Sequence, residues 1–234
     1  MKILAIDSTA IVASSAVCEI ENGAVGRYCL FTLKNGMTHS ENLLPLVDGA
    51  LTAGGYDLSA IDLIAVSAGP GSFTGVRIGV ATVKGLAYSG DKPVCGVSTL
   101  DALYRNIAGM AEVICPVMDA RRSQVYNAIF KIEGGRPVRM TADRPISLED
   151  LASELRELDS PVFLVGDGAA ITAAYLGGNN IAYRAAPENL VWQSAWGVAM
   201  AAQDKPFGSA DDLLPVYLRL SQAERERQEK LAKT

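Results

Sequence analysis

Apolar residues along this chain fall into two patterns: short unbroken runs that suit buried strands, and longer stretches with helical spacing. Lys2–Asp7 is the first run and ends in a carboxylate. Ala13–Ile20 and Ala24–Phe31 follow, joined by Glu21-Asn22-Gly23, a hairpin signal, so the chain opens on three consecutive antiparallel strands. From Ser40 to Ala53, the residues Leu43, Leu44, Val47, Ala50 and Leu51 recur at helical spacing. Ser40 is the expected N-cap, Gly54-Gly55 the stop, and Pro45 a source of slight bending. Leu63–Ala68 reads as a further buried strand, followed by a glycine-rich turn and a helix to about Tyr88. A strand at Pro93–Val97 then leads to a helix started by Ser98, with Asp101 at N3 in a capping-box pattern.

The second half repeats this order. Strands are expected at Val113–Asp119, Val125–Ile132 and Pro137–Met140, with a turn at Glu133-Gly134-Gly135. Ser147–Asp150 starts a helix to about Leu158, and Val162–Val165 is a strand ending in Gly166-Asp167-Gly168, with a helix after it. A short strand at Ile181–Tyr183 and a helix from about Asn189 to Ala202 complete the half. Both halves read βββαβα, and both first strands end in an aspartate, Asp7 and Asp119. The expected fold is therefore α/β with two similar lobes and a cleft between them, 1–110 and 111–220. Asp211–Leu220 retains apolar anchors, and 221–234 is a mostly charged tail expected to be a solvated, fraying helix.

Composition narrows the function classes. At 49% hydrophobic and 20% charged, the 234 residues suit a globular chain with a real core rather than a disordered one. A net charge of -5 and a pI near 5.0 argue against extended nucleic-acid binding by this chain alone. The start MKILAIDST is interrupted by Asp7 too soon for a signal peptide, and no run approaches the roughly 18 apolar residues needed to span a bilayer. Cys18, Cys29, Cys95 and Cys115 lack CxxC spacing, so buried free thiols in a reducing cytosol are expected. The expected location is cytoplasmic.

Candidate chemistry centres on the turn Ser67–Gly79, SAGPGSFTGVRIG. Glycines between a strand and a helix let backbone N–H groups approach an anion, and they equally serve a tight packing turn. No Gly-Lys-Ser/Thr closes it as in a Walker A loop, and its third glycine falls one residue late for the dinucleotide fingerprint. Asp7-Ser8-Thr9 has two readings as well: a carboxylate and hydroxyls that hold a hydrated metal facing a nucleotide, or a capped strand end. Asp7, Ser8, Thr9, Gly69 and Gly71 are thus the candidate nucleotide-binding remnant. His39, the one histidine, has no recognisable nucleophile partner and is expected to be structural or part of an interface. Arg121-Arg122 suits an ion pair better than RNA contact.

Taken with Val80–Leu86, LAIDST, HSENLLPLV (His39–Val47), MDARRSQVY (Met118–Tyr126) and PVYLR (Pro215–Arg219), the glycine-rich turn closely resembles the TsaB (YeaZ) family, over nearly the whole chain. The resemblance implies a two-lobed actin/Hsp70/sugar-kinase-like (ASKHA) fold. It implies work with a catalytic relative, TsaD, and an ATPase, TsaE, in attaching threonylcarbamoyl to N6 of adenosine 37 of tRNA. The catalytic relative holds its metal through H-x-x-x-H, one imidazole per turn on one helix face. By offset after Pro93–Val97, the matching positions here are Thr99 and Leu103, and leucine cannot ligate a metal. The expectation is a non-catalytic accessory subunit with no catalytic or metal residues, ATP and Mg being used by the complex. TsaD and TsaE are the expected partners, with a homodimer when alone, tRNA met only through the complex, and no membrane. The expected interface, on the two helices flanking the turn, is His39, Leu43, Leu44, Val47, Leu51, Val76, Gly79, Val80, Val83 and Leu86. The competing reading is a stand-alone enzyme of the same superfamily, a metallopeptidase or an ATP-dependent small-molecule kinase.

Overall fold

The computed structural model describes residues 1–36, 38–134 and 136–219. The first sheet is built from β1 (Lys2–Asp7), β2 (Ala13–Glu21), β3 (Ala24–Leu33), β4 (Leu63–Gly69) and β5 (Val94–Ser98). Helices α1 (His39–Gly54), α2 (Phe73–Tyr88) and α3 (Thr99–Asn106) connect or follow them. The second sheet comprises β6 (Val113–Asp119), β7 (Gln124–Asn127), β8 (Phe130–Glu133), β9 (Arg136–Arg139), β10 (Arg144–Ser147), β11 (Val162–Val165) and β12 (Tyr183–Ala185). Its helices are α4 (Leu148–Arg156) and α5 (Ala169–Gly178), and α6 (Ala195–Ala202) is the last helix among the described residues.

The duplication is one of topology. Strand order is β3-β2-β1-β4-β5 in one sheet and β10-β7-β6-β11-β12 in the other, with β8 and β9 off that path. In each sheet the founding strand pairs antiparallel on one side, β1 with β2 and β6 with β7. On the other side it pairs parallel, β1 with β4 and β6 with β11. This doubled arrangement is the two-lobed ASKHA-like architecture the resemblance implies, and Asp7 and Asp119 stand at the ends of equivalent strands.

Between Lys2 and Asp7, β1 is apolar from Ile3 to Ile6 because both its faces are covered. Leu4 and Ile6 pack with Leu43, Val47, Val76, Val80 and Val83 of α1 and α2. Ile3 and Ala5 pack on the opposite face with Ala195, Val198 and Ala199 of α6. The small residues of α6 let it lie close, and a Cβ on Gly197 would stand 2.0 Å from the Ala102 carbonyl oxygen. The chain thus returns to the first sheet after finishing the second.

Several expected boundaries shift. Helix α1 begins at His39 after Thr38, so Ser40 lies inside its first turn rather than capping it, and Gly55 ends it in the left-handed conformation. Val125–Ile132 is two strands, β7 and β8, which pair with different stretches of β6. β10 was not expected, and the last strand lies at Tyr183–Ala185 rather than Ile181–Tyr183. The final helix starts at Ala195, not Asn189, since Ser194 caps it and the preceding residues cross between lobes. Ser98 and Ser147 accept hydrogen bonds from the backbone N–H of Asp101 and Asp150, as the capping patterns anticipate. All four cysteines are free, and burial pushes the thiols of Cys18 and Cys115 up to about 12. The charged tail 221–234 and Leu220 lie outside the described residues.

Candidate functional site

Residues Asp7-Ser8-Thr9 leave the end of β1 fully enclosed. Asp7 accepts hydrogen bonds from the backbone N–H of Thr9 (2.9 Å), the Thr9 hydroxyl (2.9 Å) and the Ser67 hydroxyl. Burial raises its carboxyl above the usual range, against the lowering effect of those bonds. The carboxylate therefore closes a strand end and does not face the cleft, which favours the capping reading over the metal-holding one.

The glycines of the turn have the same inward character. A Cβ on Gly71 would stand 2.6 Å from the Thr9 carbonyl oxygen, one on Gly75 2.0 Å from that of Ser8, and one on Gly79 2.6 Å from Ser8 Oγ. On Gly69 it would stand 2.2 Å from the carbonyl oxygen of Val216. The Ser72 N–H donates to the Thr9 carbonyl (2.7 Å), so this amide of the turn is bonded within the chain rather than left open to an anion. The Ser8 hydroxyl donates to the Gly75 carbonyl (2.9 Å), and Ser72 Oγ caps α2 by accepting from Gly75 N–H (3.3 Å).

Beside the turn lies a cleft of about 560 Å³. The first lobe contributes Thr9, Gly71 and Phe73, the second Asp119, Tyr126 and Asp167, and the C-terminal segment Val216–Arg219. Asp167, which follows β11, accepts from Gln193 Nε2 at 2.6 Å, and burial pushes its carboxyl up to about 6. Asp119 is paired with Arg121 at 3.4 Å and accepts from its backbone N–H at 2.7 Å. Arg121 and Arg122 both hold positive φ in the exposed β6–β7 connection. The ion-pair reading thus describes Arg121. His39 Nε2 lies 2.6 Å from the Ala10 carbonyl oxygen. A carbonyl only accepts, so Nε2 donates and the ring anchors α1 to the turn after β1. Thr99 and Leu103 sit one turn apart on α3, both buried.

Comparison with known proteins identifies the lineage. The family model for TsaD, tRNA N6-adenosine threonylcarbamoyltransferase, matches residues 35–195. The tRNA threonylcarbamoyladenosine biosynthesis protein TsaB of Bacillus subtilis is 34% identical over 230 residues, 96% of each chain. The chain belongs to the TsaB family. The Escherichia coli TsaB protein is 36% identical over 134 residues, 56% of this chain and 55% of its own. Among solved structures, YeaZ from Pseudomonas aeruginosa superposes with a TM-score of 0.76 at 27% identity, covering 93% of this chain and 99% of that one. The role of the chain accordingly lies in tRNA threonylcarbamoyladenosine biosynthesis.

For this TsaB-family chain, the contact surface expected on α1 and α2 needs correction. Leu43, Val47, Val76, Gly79, Val80 and Val83 are buried in the chain's own core, where they cover the first sheet. Val47, only 3% exposed, is no docking residue. What the two helices leave outward is Leu44 (55% exposed), with Leu51 and Leu86 half-buried and Ala81 and Gly85 open. Two features went unassigned in the sequence. Asp167 was read only as the end of a strand, and PVYLR only as a family ending, although its residues line the cleft.

Proposed function

We propose that the chain is a non-catalytic partner subunit of the machinery that makes N6-threonylcarbamoyladenosine at position 37 of tRNA, binding and ordering TsaD together with TsaE. The observation that carries this reading is the filled glycine-rich turn. Phosphate binding needs free backbone N–H groups, whereas Ser72 N–H is bonded to the Thr9 carbonyl (2.7 Å) and Gly75 N–H to Ser72 Oγ (3.3 Å), and the glycines' Cβ sides pack against Ser8, Thr9 and Val216. The residue types at Thr99 and Leu103 support it further, since leucine offers no ligand atom.

On this reading ATP and Mg serve the complex, tRNA is met through it, and the isolated cytoplasmic chain pairs with itself. Residues 1–110 and 111–220 act as the two lobes, with α6 returned to the first. The docking surface is the outward remainder of α1 and α2: Leu44, Leu51 and Leu86 supply apolar area, and Ala81 and Gly85 allow a partner helix to approach closely.

Reconstitution tests it. The purified chain with ATP, Mg and tRNA should transfer no threonylcarbamoyl group, and activity should appear only when TsaD and TsaE are added. Transfer by the chain alone would overturn the proposal.

A further inference from the structure

The C-terminal segment after α6 runs back over the first lobe and ends at the second. Gly208 bridges to Val94 of β5 through two backbone hydrogen bonds of 2.9 Å. Leu213 is buried beside Gly96, and the Tyr88 hydroxyl donates to Asp211. Val216 N–H then donates to the Ala68 carbonyl at 2.7 Å, which sets Val216 directly over Gly69. Tyr217 stacks on Phe73 with ring centroids 4.6 Å apart. Arg77 lies 3.8 Å over the Phe73 ring and donates through Nε to the Tyr217 hydroxyl at 2.9 Å. All of these anchors belong to the first lobe. Two residues on, Arg219 Nη1 donates to the carbonyl of Ala120 at 2.8 Å, immediately after β6 of the second lobe.

We propose that Pro215–Arg219 is a latch that holds the two lobes at a fixed opening, with the cleft closed along one wall by the chain's own backbone instead of by a bound ligand. The anchor on the first lobe is broad: a backbone bond, a ring stack and a guanidinium over the Phe73 ring. Among the described residues, the catch on the second lobe is narrow, one hydrogen bond to a main-chain carbonyl. At another contact between the lobes, Lys34 pairs with Glu188 at 3.1 Å and lies 3.7 Å over the Trp192 ring. That pair is exposed, and solvent weakens it. Leu100, Leu103 and Tyr104 of α3 pack into the second lobe's core, with Tyr104 stacked on Phe130 at 4.2 Å between centroids, so the lobes stay joined there and α3 is the pivot. Opening the cleft about that pivot requires release of Arg219 from Ala120 or of Tyr217 from Phe73. This inference does not depend on which protein the chain binds.

The test is a pulsed dipolar distance measurement between spin labels on cysteines placed at the exposed positions Asp57 and Glu157, one per lobe, with Cys29→Ser removing the half-buried thiol. The full-length chain should give one narrow distance peak. Arg219→Ala and Tyr217→Leu should each lose that peak to a broader, longer distribution while circular dichroism stays native. Leu214→Ala, on the same segment but exposed and away from the second lobe, should leave the peak unchanged. A narrow peak persisting in both latch variants overturns the proposal, as does equal broadening in Leu214→Ala. Should Tyr217→Leu unfold, Arg219→Ala decides alone, because it removes one part-buried hydrogen bond to a main-chain carbonyl and leaves the Phe73 stack in place.

Discussion

Gly75 in the first turn of α2 lies so near Ser8 at the end of β1 that a Cβ placed on it would stand 2.0 Å from the Ser8 carbonyl oxygen. The neighbouring hydroxyl of Ser8 donates to the Gly75 carbonyl, so a side chain at the strand end is tied to the main chain of the helix start. Gly85, on the same helix three turns later, meets nothing within 4 Å.

Gly75→Ala and Gly85→Ala should therefore have opposite signs. The first forces backbone apart and should cost about 3 kcal/mol or more. The second removes only the flexibility of an exposed helical glycine and should add up to about 1 kcal/mol. Urea titration of the two variants measures both, and a neutral Gly75→Ala would contradict the close approach.

Folding and pairing should separate along α1. Val47→Glu buries a carboxylate among Leu43, Val80 and the sheet, so it should abolish the native circular dichroism spectrum itself. Leu44→Glu, at a residue more than half exposed, should leave the fold intact and abolish co-purification with TsaD. Native melting by Val47→Glu, or unaltered capture by Leu44→Glu, would contradict these assignments.

Asp167 should impose a pH dependence. Its folded-state carboxyl is raised to about 6 from the ordinary 3.8, chiefly by burial. The unfolded chain therefore ionises first as pH rises. The contribution is full below about pH 4, declines towards pH 6, and is constant above, where both states are ionised. Relative to Asp167→Asn, which keeps an acceptor for Gln193, the parent chain should lose at most about 3 kcal/mol across that window. Urea midpoints of both proteins at pH 4 and pH 7 give the difference, and parallel curves would contradict the raised value.

The cap at Ser147 offers a fourth comparison. Its hydroxyl accepts from Asp150 N–H at 3.0 Å, whereas Thr38, at the start of α1, makes no side-chain cap bond. Ser147→Ala should cost about 1 kcal/mol and Thr38→Ala markedly less, read as shifts in thermal midpoint.

Much of the fold was legible because local patterning and tertiary environment agree. Ile3–Ile6 and Leu63–Val66 are unbroken apolar runs within their strands, and both are covered on two faces. β10 escaped notice because RPIS is brief and mostly polar, and its pairing with β7 comes from elsewhere in the chain. The strand break at Ala128-Ile129 has no turn residue to announce it. Helical spacing identified α1 and α2 but not what their apolar faces meet, and most of those side chains proved to cover their own sheet. The turn was equally ambiguous, since glycines admit a phosphate or a carbonyl oxygen alike. What fills it, Ser8, Thr9 and Val216, lies far away in sequence.

The lone imidazole of His39 has a practical value. With one histidine in the chain and its Nε2 proton held on the Ala10 carbonyl, its ring resonances are unambiguous without assignment work. Ala10 lines the cleft, so a single spectral line reports on that wall whenever a partner, a small molecule or a released C-terminal segment alters it.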